Sequence, residues 1–243
     1  MYLCIDSGNT RTKCVIYDAQ GQVMDSKTFD EDSFTDLYEW LLDKNVIHAI
    51  ISTTGKRMLD RARFDIPGKW IELSHETSLP IQIVYATPET LGHDRIASAC
   101  GAHALLPGKN CLVIDAGTCI TMDMLLKNGI YLGGNIAPGL HMRLRAMHEQ
   151  TARLPLAEPG WPHLNFGDST IHALQNGACL GMIMEIEGLL NRAREAYGEV
   201  SIVITGGDGA FLANRLESQI FVEPELVTHG LYQILSFNVK NPK

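Results

Sequence analysis

Tyr2-Leu3-Cys4-Ile5-Asp6-Ser7-Gly8-Asn9-Thr10 and Cys111-Leu112-Val113-Ile114-Asp115-Ala116-Gly117-Thr118 share one pattern: an apolar run, a carboxylate, a small residue, a glycine and polar turn residues. A short apolar run closed by turn residues reads as a buried strand. A second strand candidate follows each, Lys13–Tyr17 and Ile120–Leu126, and then a tight turn, Asp18-Ala19-Gln20-Gly21 and Lys127-Asn128-Gly129. Asp6 with Gly8 maps onto Asp115 with Gly117 at an offset of 109 residues. This is an internal repeat of one supersecondary unit. It predicts two lobes related by duplication, residues 1–108 and 109–243, divided at the Pro107-Gly108-Lys109-Asn110 turn.

Outward from the two copies, Asp36–Lys44 carries helical spacing in Leu37, Trp40 and Leu41, and Val46–Ile51 reads as a buried strand. Ile81–Tyr85 is a further strand candidate and Ile96–Leu106 an Ala-rich helix. Thr170–Tyr197 is mostly helical, with Gly177, Gly181 and Gly188 along it, and Ser201–Ile204 is a strand running into Thr205-Gly206-Gly207-Asp208-Gly209. Strands alternating with helices give an α/β class.

Composition narrows the functions. The 243 residues can bury a large core, with 45% hydrophobic and 20% charged residues. No apolar run approaches the roughly 20 residues that cross a bilayer. Met1-Tyr2-Leu3-Cys4-Ile5 runs straight into Asp6, without the basic and long apolar regions of a secretory signal, so a cytoplasmic protein is expected. The six cysteines form no C-x-x-C pair, and neither a zinc site nor a disulfide framework is expected. A net charge of -8 argues against nucleic acid as the ligand. An anionic ligand would rely on a few local cations, backbone N–H groups and metal.

A single D-x-G says little, but both copies put the carboxylate just past a strand. There a glycine lets backbone approach a ligand and hydroxyls can bond phosphate oxygens. Turn capping is the alternative for either aspartate alone. Neither G-x-x-x-x-G-K-[ST] nor a G-x-G-x-x-G after a strand is present, so Walker and Rossmann readings fall. Thr205-Gly206-Gly207-Asp208-Gly209 either offers a flat glycine surface to an adenine ring or is a plain strand-to-helix turn. Gly92-His93-Asp94-Arg95 is the sharpest constellation mid-chain. Asp94 either charges a helix start or accepts the hydroxyl proton of an anionic substrate that Arg95 clamps.

Taken together, these motifs, with Gly133-Gly134-Asn135-Ile136-Ala137-Pro138-Gly139 and Thr151-Ala152-Arg153-Leu154-Pro155, closely resemble the type III pantothenate kinases. That family lies within the acetate kinase, sugar kinase, Hsp70 and actin superfamily. The resemblance implies two ribonuclease H-like, actin-like ATPase lobes and transfer of phosphate from ATP to pantothenate, giving 4'-phosphopantothenate. It also implies ATP with Mg²⁺ or a similar divalent cation in the cleft, a K⁺ or NH₄⁺ requirement, and a homodimer with a composite site. In residues, it implies ATP on Asp6, Ser7, Gly8, Asn9, Thr10, Arg11, Thr12 and Lys13, with Asp6 also serving the divalent cation, and on Thr118. It implies the monovalent cation on Asp115. Pantothenate would meet Tyr85, Gly92, His93, Asp94 and Arg95, with Asp94 as general base, and also Thr170, which closes Gly167-Asp168-Ser169-Thr170. Cys119 and the Asp168-Ser169 pair depart from the family's usual residues. A kinase of another small hydroxylated acid or sugar, or a nucleotide-binding accessory factor for transcription, are the competing readings.

Overall fold

The computed structural model describes residues 1–8, 11–30, 34–53, 60–163 and 165–241. The chain forms two compact units: Met1–Pro107 with Gly129–Tyr131 and Glu225–Lys243, and Gly108–Asn128 with Leu132–Pro224.

The first unit opens with β1 (Tyr2–Ser7), β2 (Arg11–Tyr17), β3 (Val23–Asp30), α1 (Phe34–Leu41), β4 (His48–Thr53) and β5 (Trp70–Glu72). Its sheet has the order β3-β2-β1-β4-β5. β1 is antiparallel to β2 and parallel to β4. Central strands in such a sheet are covered on both faces, which is why Leu3-Cys4-Ile5 and Ala49-Ile50-Ile51 are unbroken apolar runs, all buried. One face packs with Cys14, Ile16, Phe29, Leu37 and Val46 into a single core. β6 (Gln82–Ile83) and α2 (His93–Leu105) follow.

β7 (Asn110–Ala116), β8 (Cys119–Leu125) and β9 (Ile130–Pro138) then repeat the opening. Next come α3 (Leu140–Glu149), α4 (Thr170–Gln175), a π-turn over Asn176–Leu180, α5 (Gly181–Tyr197), β10 (Val200–Thr205), α6 (Gly209–Ala213) and β11 (Ile220–Val222). The second sheet runs β11-β10-β7-β8-β9-β6, with β7 antiparallel to β8 and parallel to β10, and β10 parallel to β11. Read from β9 to β11, its other five strands repeat the order of the first sheet, and β6 is an added edge. The duplication seen in the sequence is therefore a duplication of connectivity.

Two segments differ from their local signals. Gly133-Gly134, with the glycines of a flexible loop, lies within β9. A Cβ added to Gly134 would stand 2.1 Å from the Met122 carbonyl oxygen, so this glycine allows close strand approach rather than a turn. The chain's last helix, α7 (Leu226–Lys240), belongs to the first unit and packs on α2. There Gly101 and Gly230 let the two backbones meet: an added Cβ would lie 2.5 Å from the Leu226 oxygen and 1.8 Å from the Ala97 oxygen, respectively.

Candidate active site

Asp6 and Ser7 end β1. Their partners across β2 are Lys13 and Thr12, and their partners along β4 are Ser52 and Thr53. Ser7 Oγ and Thr12 Oγ1, both buried, are 3.3 Å apart, and the Gly8 N–H donates to the Arg11 carbonyl at 3.0 Å, closing the turn. Lys13 Nζ stands 2.8 Å from Glu225 Oε1, which fixes a cation beside the Asp6 strand end. Arg11 is exposed, 3.9 Å from Asp30. Burial, and then the charge of Asp6, push the Cys14 thiol far above its usual range. Asn9 and Thr10 lie outside the described residues.

Gly92 is the N-cap of α2, and Asp94 sits in its first turn, where the positive end of the helix favours a carboxylate. Asp94 Oδ1 accepts the Arg95 backbone N–H at 2.8 Å. The carboxylate leans so far back that a Cβ on Gly92 would lie 2.5 Å from it, so glycine is what makes this posture available. Arg95 is buried, its guanidinium carbon 5.9 Å from the Tyr85 ring centre, and Tyr85 in turn lies 6.4 Å from Tyr131. Burial, opposed by Asp94 and by the Thr53 backbone, holds the His93 pKa below its ordinary value, and α2 packs on β4. Thr53 pairs with Ser7. The helix that Gly92–Arg95 opens thus packs on the strand beside Asp6 and Ser7, a meeting that neither motif announces alone. Ser52 and Thr53 escaped the sequence reading, although hydroxyl residues closing a buried strand were their visible signal.

In the second unit Asp115 ends its strand as Asp6 does, with Thr205 of β10 as its partner. Gly206, at φ 88°, turns so tightly that an added Cβ would lie 2.4 Å from the Ala116 oxygen and 2.6 Å from Asp115 Oδ1. The Asp208 N–H donates to the Ala116 carbonyl at 3.0 Å, and the Gly139 N–H donates to the Thr118 carbonyl at 3.1 Å. Asp115, the Gly117-Thr118 turn and Gly206–Asp208 thus lie together at the ends of β7 and β10, with Thr118 exposed. Burial raises the Asp208 pKa, partly opposed by His141, whose Nε2 is 3.8 Å away. Thr170, exposed, is the first residue of α4, which Ser169 caps by accepting the His172 N–H at 3.3 Å.

Backbone turns and hydroxyls of this kind bond phosphate oxygens. Among the described residues no three His, Cys, Asp or Glu side chains form a cage for a metal. A single strand-end carboxylate in each unit, Asp6 or Asp115, could serve a cation that takes most of its ligands from phosphate and water.

The type III pantothenate kinase family model matches residues 2–192. A type III pantothenate kinase of Flavobacterium johnsoniae is 37% identical over 246 residues, covering 99% of this chain and 100% of that protein. Among solved structures, a Campylobacter jejuni protein assigned to the Baf family of transcriptional activators superposes with a TM-score of 0.67 at 23% identity, over 98% of this chain and 99% of that one. The activator of 2-hydroxyisocaproyl-CoA dehydratase from Clostridium difficile, with bound ADPNP, gives 0.55 at 14% identity, over 100% and 98%.

Proposed function

This chain belongs to the type III pantothenate kinase family, and from that premise we propose how its residues carry the family's reaction. The enzyme transfers phosphate from ATP to pantothenate, giving 4'-phosphopantothenate at the start of coenzyme A biosynthesis. The observation that carries the roles is the packing of α2, whose first turn holds Asp94, on β4, the strand whose end is in register with Asp6 and Ser7.

In the first unit the Asp6–Lys13 loop takes ATP: Ser7 and Thr12 hydroxyls and turn N–H groups bond the phosphates, and Lys13, steadied by Glu225, adds a cation. When bound, Mg²⁺ or a similar ion neutralises phosphate charge, and Asp6 holds it directly or through water. In the second unit Thr118 contacts ATP and Asp115 holds K⁺ or NH₄⁺. Arg95 pairs with the pantothenate carboxylate and Tyr85 flanks the substrate. With Oδ1 of Asp94 engaged by the Arg95 N–H, its other oxygen receives the proton of the primary hydroxyl. Phosphoryl transfer asks little covalent chemistry of the protein, so alignment and charge placement dominate.

The two halves 1–108 and 109–243 descend from the duplication, with Glu225–Lys243 of the second half packed into the first unit. The enzyme works in the cytoplasm as a homodimer, with Thr170 reaching the partner's pantothenate. In support, no helix among the described residues is long and apolar enough to cross a membrane. Ile171 and Met184 are exposed, and an added Cβ at Gly177 or Gly188 meets nothing within 4 Å. ATP consumption measured with and without pantothenate, with the product identified, tests the reading. Consumption indifferent to pantothenate rejects it.

A further inference from the structure

Among the described residues, two buried side-chain polar atoms have no hydrogen-bond partner: Ser52 Oγ and Ser98 Oγ. Ser52 is 0% and Ser98 3% exposed. An unpaired buried hydroxyl opposes folding, and native proteins keep few. Both lie beside carboxylates of the proposed site. Ser52 is the β4 residue in register with Asp6. Side chains alternate faces along a strand, so residues in register across neighbouring strands share a face. Ser98 lies four residues beyond Asp94 on α2, one turn along the same helix face, and helical side chains lean towards the N-terminus and so towards Asp94. The second copy has a counterpart: Thr205, 3% exposed, is the β10 residue in register with Asp115.

We infer that Ser52 and Ser98 are positioning residues, given no hydrogen-bond partner by the described residues of the protein itself and engaged when ligands load. The Ser52 hydroxyl turns to the Asp6 carboxylate, or to water on it, and sets the oxygens that meet ATP and its divalent ion. The Ser98 hydroxyl orients Asp94 towards the acceptor hydroxyl. The inference rests on the roles proposed above for Asp6 and Asp94. It explains why two hydroxyls that cost stability stand next to the two first-unit carboxylates assigned to the chemistry.

A hydroxyl serving only the free fold and one reserved for ligand predict opposite effects of removal. Ser52→Ala and Ser98→Ala are compared with wild type by thermal unfolding without ligand, by the shift that ATP with Mg²⁺ produces, and by steady-state kinetics. For both, the ligand-free Tm is expected to stay level or rise by roughly 2 to 4 °C. Ser52→Ala should raise the KM for ATP about tenfold and shrink the thermal shift, with the KM for pantothenate unchanged. Ser98→Ala should lower kcat about tenfold with both KM values held. Each serine is judged separately: a lowered ligand-free Tm, or wild-type ligand and kinetic behaviour, overturns its assignment. Asp94→Asn separates the two levels. If wild type needs pantothenate, Asp94→Asn is slow and the serine variants match wild type, only the inference fails. If wild type ignores pantothenate or Asp94→Asn keeps its rate, the site reading fails and the Ser98 assignment falls with it, while Ser52 is still decided by the ATP-induced thermal shift.

Discussion

Asp94 owes its posture to neighbours on either side: the Arg95 N–H holds one oxygen and Gly92 leaves the space it occupies. Replacing it by Asn keeps shape and removes the proposed proton acceptor. Asp94→Asn should therefore lower kcat by about 10² to 10⁴-fold with the ATP-induced thermal shift intact, and near-normal turnover would reduce Asp94 to a helix-end charge. Asp115 leads to a second expectation. A monovalent cation there, as proposed, would offset phosphate charge in a protein of net charge -8, so activity should need K⁺ or NH₄⁺. Equal rates in Na⁺ and K⁺ at matched ionic strength remove that role. The histidines set a pH dependence. Burial is the main cause that lowers the pKa of both His48 and His93 from 6.5. Between the lowered values and 6.5 the unfolded chain binds more protons than the folded one, so stability rises with pH through that window and is lost as pH falls through it. The Tm should fall on acidification below about pH 6.5, less steeply in a His48→Asn, His93→Asn double variant. An unaltered slope in that variant assigns the dependence to other groups.

At the scale of elements, the helix that carries Asp94 is fixed by the last helix of the chain. α2 and α7 approach so closely at Gly101 and Gly230 that a methyl group would overlap the opposing backbone, and backbone cannot yield as a side-chain tip can. Gly230→Ala should destabilise by about 1–3 kcal/mol or more, seen as a lower Tm by circular dichroism. Because the shifted α2 carries Gly92–Arg95, kcat should fall too. A variant with wild-type Tm would show that the helices separate freely. The strands differ in how far local pattern reveals them. β1, β4, β7 and β10 are apolar runs because both their faces are covered. β3 buries only Phe29 of its eight residues, and its pairing with β2, not its own burial, makes it a strand. β5 has three residues and leans on β4 in the same way.

For the whole molecule, the repeat extends from the two D-x-G phrases to the order of five strands in each sheet, β6 being the one strand of the second sheet without a counterpart. The α4, π-turn and α5 run carries Thr170 at its start and exposed Ile171 and Met184 along it, a surface that a closed two-fold pairing would cover. Mixed subunits of inactive Asp94→Asn and a disabling Thr170→Arg should regain activity through hybrid dimers. A fully active monomer by light scattering ends the idea, and a dimer that fails to complement after verified exchange keeps the interface and rejects the shared site. The sequence by itself determined the α/β class, the duplicated hairpins and the family, since these rest on apolar period, turn residues and motif order, all written over a few neighbouring positions. Only the tertiary structure decided that α7 returns to lock α2, that the Gly133-Gly134 pair lies in a strand, and that Ser52 and Thr53 lie beside the end of β1 on the strand against which the helix opened by Gly92–Arg95 packs. Those outcomes depend on contacts between residues far apart in the chain. A local pattern fixes which face of an element is apolar but not which distant backbone, hydroxyl or ring will come to lie against it.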